Sequence, residues 1–142
     1  MLCIILLILD QLIKYYIFMN KPQIVLIADW LEITYAENTG TIFGMAQGTN
    51  IIFAIISIII IAIAIYIILK TTQKKSYKRR LWQLILVGGV SNLIDRIFRG
   101  FVIDYVSLKF FGVCNLADFL IVAGVILLAI EELKENINLE RN

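Results

Sequence analysis

Two aspartates, Asp104 and Asp118, stand at the two ends of a thirteen-residue connection between apolar runs, and no basic residue lies three or four positions from either. Two carboxylates held a few ångströms apart in a partly dry site cannot both ionise easily, so they share a proton. One then acts as general base on a water while the other donates a hydrogen bond to the scissile carbonyl. That is peptide hydrolysis without histidine, metal or covalent intermediate. On spacing alone, two unrelated solvated aspartates at a membrane boundary remain the better reading.

Other ionisable side chains sit within or beside the apolar runs, where each is costly and therefore a functional candidate. Asp10 and Lys14 are four apart on one helical face and read first as a helix-stabilising pair. Asn92, Asp95 and Arg96 share a second face: Asp95 and Arg96 can neutralise each other or pair with Asp10 and Lys14, while Asn92 offers an amide. Scaffolding is the larger part of what these five residues are expected to do.

The 142 residues include no histidine and two cysteines, Cys3 and Cys114. This removes the common zinc sites and every Ser-His or Cys-His nucleophile, and no metal or cofactor is expected. Cys3 opens the first apolar run and Cys114 the last, on opposite membrane sides, so both are expected as free buried thiols. A formal charge of +2, with the basic residues gathered in one short segment, gives no support for nucleic acid as a partner.

Hydrophobic residues make up 61% of the chain, more than a water-soluble fold of this size can hide. The chain is expected to be one integral-membrane domain, 1–142. Ile51 to Leu69 is the clearest span; weaker ones cover 1–18, 81–98 and 114–133, giving four transmembrane helices in an all-α membrane protein. Between the second and third spans, Lys70 to Arg80 holds six basic residues and no acidic one, which places this segment and both termini in the cytoplasm. The first run has no basic n-region and is interrupted by Asp10, Gln11 and Lys14, so it reads as a span rather than a cleavable signal. Only nine residues precede Asp10, about 14 Å of helix, so this helix tilts or one leaflet is thinly spanned. The region 20–50 carries Ile24 to Ile27, Trp30 to Tyr35 and Asn38-Thr-Gly40, the pattern of short strands and turns forming a small extracytoplasmic β-sheet. Phe101 to Val113 is expected as a second, shorter outer connection.

Several blocks together resemble the bacterial lipoprotein signal peptidases, or signal peptidase II: Asp10-Gln-Leu-Ile-Lys14, Asn38-Thr-Gly-Thr-Ile-Phe-Gly44, Gly88-Gly-Val-Ser-Asn-Leu-Ile-Asp-Arg96 with Gly100-Phe-Val-Ile-Asp-Tyr105, and Asn115-Leu-Ala-Asp118. They occur in the family's order over essentially the whole chain. The resemblance implies a membrane aspartic endopeptidase with Asp104 and Asp118 as catalytic dyad at the outer surface of the bacterial cytoplasmic membrane. It implies that Asn38, Asn92, Arg96 and Asn115 position substrate or support the dyad, and that Asp10, Lys14 and Asp95 hold the helices in place. The implied substrates are diacylglyceryl prolipoproteins, cleaved on the amino side of the lipidated cysteine. Membrane lipid is the implied surrounding, globomycin the implied inhibitor, and a monomer is expected.

The chain departs from the family pattern at Thr41 and Ile42, where two small residues are usual, at Ser91, where glycine is usual, and at Cys114, where an aromatic is more usual. None of these removes an ionisable group. The main alternative is a small transporter or channel with Asp10, Lys14, Asp95 and Arg96 lining a polar path. A non-catalytic assembly factor is a third reading. Among other intramembrane proteases, the Gly-x-Gly-Asp and histidine-dependent patterns are absent, and a Ser107 with Lys109 dyad carries the least weight.

Overall fold

The computed structural model describes residues 2–40, 49–71 and 76–140. Thr41 to Gly44 of the second block and Thr72 to Lys75 of the basic segment lie outside them. The elements run α1 (Leu2–Asn20), β1 (Ile24–Ile27), β2 (Leu31–Asn38), α2 (Thr49–Lys70), α3 (Tyr77–Phe98), β3 (Val102–Leu108), β4 (Gly112–Cys114) and α4 (Leu116–Glu140). The protein is thus mostly helical with a small sheet.

α1, α2 and α3 are long and apolar enough to cross a membrane. α2 is dominated by isoleucine, a middling helix former in water; in hydrocarbon the helix is favoured because every backbone group must be satisfied internally. α4 begins at Leu116 and runs to Glu140, past the expected end at Leu133, because Glu131 to Glu135 continue the helix as a charged extension. α3 is the central helix, packed against α1, α2 and α4. It reaches α4 closely at Gly88, where a Cβ would lie 2.4 Å from the Ala117 carbonyl oxygen. Gly124 makes the reciprocal approach, its Cβ position 3.1 Å from the Leu81 carbonyl oxygen. Small residues let membrane helices pack backbone to backbone in this way.

The sheet has the order β1-β2-β3-β4, antiparallel throughout. Its first two strands fall where the sequence places them. The stretch from Phe101 to Val113, expected as a connection, is a hairpin instead. β3 pairs back onto β2, with Asp104 opposite Ala36 and Val102 opposite Asn38. The turn into β4 closes through the Phe111 N–H to the Leu108 carbonyl (3.0 Å), and Gly112 takes the left-handed φ of +79° that follows it. Ile17 near the end of α1 packs against Ile103 and Tyr105 of β3, with Phe101, Ile33, Tyr35 and Leu116 around them. The sheet is thereby seated on the helix ends where Asn92, Asp95 and Asn115 also lie.

Candidate active site

Asp118 is held by the start of its own helix. Asn115 is the N-cap residue of α4: its Oδ1 accepts the Asp118 N–H (3.0 Å), while Asp118 Oδ2 accepts the Asn115 N–H (3.1 Å). This is a reciprocal capping box with Asn and Asp in the two roles. The Leu116 N–H donates to the Tyr105 hydroxyl (3.1 Å) and the Ala117 N–H to Asp10 Oδ1 (3.2 Å). The first three N–H groups of the helix are therefore satisfied, and the carboxylates of Asp10 and Asp118 face its positive end.

Asp104 is held by the sheet. It is 1% exposed in the middle of β3, and pairing with β2 brings Asn38 beside it. Asp104 Oδ2 accepts from Asn38 Nδ2 (2.8 Å) and Oδ1 from Asn115 Nδ2 (2.6 Å). Asp118 Oδ1 accepts from Asn92 Nδ2 (2.7 Å), and Asn115 Nδ2 also reaches Asn92 Oδ1 (3.2 Å). Asn115 and Asn92 thus tie the two carboxylates together, and each of the four carboxylate oxygens takes one N–H. Burial lifts the Asp104 carboxyl to about 6; the Asn38 amide opposes the rise and the Asp118 charge adds to it.

The orientation of each amide is dictated by a group that can only donate. Asn38 Oδ1 accepts the Gly40 N–H (2.8 Å), Asn115 Oδ1 accepts the Asp118 N–H, and Asn92 Oδ1 accepts the Lys14 ammonium (2.8 Å). With their oxygens engaged, all three amides turn their N–H groups toward a carboxylate.

Lys14 itself is fully buried between Asp10 and Asp95, 3.0 Å from each. The Ser91 hydroxyl donates to Asp10 Oδ2 and accepts from Gln11 Nε2 (2.8 Å). Asp95 Oδ2 accepts the Ile103 N–H (3.3 Å), the residue before Asp104. The partner of Asp95 beyond Lys14 is Arg99, not Arg96. Neighbouring residues on a helix diverge by about 100°, so Asp95 cannot face Arg96, whereas Arg99 is one turn along. Arg96 instead lies over the Phe53 ring, 5.7 Å from its centroid, within the field of the Asp118, Asp104 and Asp95 charges. Its buried Nε has no hydrogen-bond partner among the described residues. Cys114 belongs to β4 rather than to the last helix, with Sγ 3.5 Å from the Val106 carbonyl oxygen. Gln11, Arg99 and Tyr105 join this network although no site role was expected of them; Gln11 stood out as a polar break in an apolar run and Arg99 by lying four positions after Asp95.

Residues 2–134 match the family described as Signal peptidase (SPase) II. A lipoprotein signal peptidase of Caldicellulosiruptor bescii is 40% identical over 131 residues, covering 90% of this chain and 85% of its own. One from Streptococcus pneumoniae is 36% identical over 135 residues, covering 92% of this chain and 88% of its own. Two solved structures, each described as a bacterial membrane enzyme obtained by the in meso method, share the fold. The one at 2.3 Å resolution has a TM-score of 0.83 and 31% identity, covering 96% of this chain and 87% of that one. The one at 1.9 Å has a TM-score of 0.81 and 32% identity, covering 93% and 90%. With a sequence match across nearly the whole chain and a fold match of the same extent, the chain belongs to the signal peptidase II family of membrane aspartic endopeptidases.

Proposed function

We propose that Asp104 and Asp118 are the catalytic dyad and that they cut diacylglyceryl-modified prolipoproteins on the amino side of the lipidated cysteine. The observation that carries this is the pair of amides, Asn115 and Asn92, which link the two carboxylates in one hydrogen-bonded chain and, with Asn38, leave a single N–H on each oxygen. Every oxygen keeps a free lone pair for water or a shared proton. Asp104, lifted by burial, holds that proton; Asp118 takes one from the attacking water as its oxygen bonds to the scissile carbon. Asp104 donates to the carbonyl oxygen, and Asp118 then returns its proton to the leaving nitrogen as the C–N bond breaks. Arg96, whose buried Nε has no partner among the described residues and which feels the Asp118 and Asp104 charges, is suited to hold a substrate carbonyl.

In this reading the whole of 1–142 is one domain, α4 makes a fourth crossing, and both termini lie in the cytoplasm. Support comes from the fold's polarity: the dyad and sheet gather at the Asn92 end of α3, while Lys78, Arg79 and Arg80 occupy the other end. The site then faces the extracytoplasmic side, where lipid tails stay in hydrocarbon while the peptide bond meets water. Globomycin is expected to bind across the dyad, and a monomer carries all the named groups. The transporter alternative is not favoured: Asp10, Lys14 and Asp95 are fully buried and satisfied among themselves rather than lining a path.

Asp104→Asn and Asp118→Asn test the dyad in a gel-shift assay with a diacylglyceryl prolipoprotein. Each should lower cleavage by about 10²-fold to 10⁴-fold with normal membrane insertion. Full activity in either variant refutes the assignment.

A further inference from the structure

An apolar groove of about 360 Å³ opens beside Asp118, between the β3–β4 hairpin and the first turns of α4. Leu108, Phe111 and Cys114 form its sheet wall, and Asp118, Phe119 and Val122 its helix wall. We infer that this groove seats the proximal part of one acyl chain of the substrate's diacylglyceryl group. The inference rests on the dyad reading above, because the thioether to glycerol lies only a few bonds from the scissile peptide bond. At least one chain must therefore leave the site through a wall that touches the dyad.

Three features select an acyl chain as the occupant. Asp118 is the lone ionisable carboxylate of the lining and stands at the end where the chemistry occurs. From there the groove follows α4 for one turn to Val122, about 6 Å along the helix and away from the sheet. Its outer rim is open, since Phe111 is 86% exposed and Val122 53% exposed, so a chain can continue from it into hydrocarbon. The remaining side chains give a peptide no hydrogen-bond partner beyond one thiol, and that thiol already lies against the Val106 carbonyl. A substrate backbone lodged there would leave N–H and C=O groups unsatisfied, whereas methylenes lose nothing.

Val122→Trp fills the groove from the helix and Leu108→Trp from the sheet; Val122→Phe is the milder helix filler should the tryptophan prevent insertion. Purified enzyme in lipid nanodiscs is given two synthetic prolipoprotein peptides that differ only in the diacylglyceryl group, dipalmitoyl or diacetyl, the second too short to enter the groove. The readout is the ratio of kcat/KM for the long-chain over the short-chain substrate. The chain enters the groove from bilayer hydrocarbon, so a filler removes space rather than apolar transfer, and the overpacking it forces on the proximal methylenes lowers affinity by about tenfold or more. Both fillers should therefore lower the ratio by about tenfold or more, while Val125→Trp, on the exposed face of α4 outside the groove, keeps it. Equal loss on both substrates, no change in the ratio, or the same fall in Val125→Trp overturns the groove assignment and leaves the dyad standing. Wild-type enzyme that cuts neither peptide overturns the dyad reading and this inference together.

Discussion

Replacing Asn38 by leucine removes one donor from Asp104 while keeping the side-chain volume. Asn38 Nδ2 lies 2.8 Å from Asp104 Oδ2 and stabilises the carboxylate, so it holds the pKa below the value that burial alone would set. With Asp104 only 1% exposed, water does not screen the change. A hydrogen bond to a charged group is worth about 1.5–3 kcal/mol, equivalent to about one to two pKa units. In the proposed mechanism Asp104 carries the proton, so activity falls on the alkaline side as that proton leaves. In the wild-type enzyme this limb of kcat/KM against pH lies near the Asp104 value of about 6, and in Asn38→Leu it moves to about 7 or above. The free-enzyme profile is read from pH 4 to pH 9 with purified protein, using the limb's position rather than its height, since Asn38 also accepts the Gly40 N–H. A limb that stays in place or moves to lower pH refutes the assignment of the proton to Asp104. The same shift has a stability counterpart: the contribution of Asp104 is fully present below its ordinary value of 3.8 and is lost as pH rises through about 6.

Gly88→Ala places a Cβ 2.4 Å from the Ala117 carbonyl oxygen, so α4 must shift at the residue before Asp118. Overpacking of about 1–3 kcal/mol should appear as a lower Tm. A displacement near 1 Å at the dyad should lower kcat by about 10²-fold. Ser91→Gly removes a hydroxyl but leaves Asp10 paired to Lys14 and Gln11 bonded to the backbone carbonyl of residue 91. Denaturation in detergent should show a loss of about 2 kcal/mol, from a hydrogen bond and a helix glycine, with kcat within a few-fold of wild type. Lys14→Met strands the buried Asp10 carboxylate and should cost about 3–5 kcal/mol by the same measurement.

The residues of the site were legible because the membrane makes them conspicuous. Asp10, Lys14, Asn92 and Asp95 interrupt apolar runs, and a polar side chain there has to have a partner. The β1 and β2 strands were legible from β-branched runs bounded by turn formers. β3 was not, because Val102 to Tyr105 are all buried, so the alternation that marks a half-exposed strand is missing. The turn into β4 was hidden as well: Lys109-Phe-Phe111 holds no usual turn former, and only Gly112 marks it. The start of α4 was set two residues early because apolar Cys114 was counted with the span, although Asn115 and Asp118 at N-cap and N3 spacing marked the true boundary. Asp95 was expected to pair with Arg96 or with Lys14; the Lys14 pair forms, but the arginine that reaches Asp95 is Arg99, one turn along the same helix.

The buried charges of α1 and α3 acquire a chemical meaning once their polarity is followed outward. Placing Asp10, Lys14 and Asp95 in a membrane bundle is costly, and a well-packed apolar trio would stabilise the helices as well. An apolar trio could not set the direction of a hydrogen bond. The Lys14 ammonium can only donate, so Asn92 must present its oxygen inward and its N–H groups to Asp118. That same oxygen accepts from Asn115, whose amide nitrogen donates to both Asn92 and Asp104. Asp10 fixes the Ala117 N–H and Asp95 the Ile103 N–H, each one residue before a dyad aspartate. Three buried ions thus fix the backbone beside both aspartates of the proposed dyad and orient the Asn92 amide, so the helix scaffold and the candidate site form one continuous hydrogen-bonded unit.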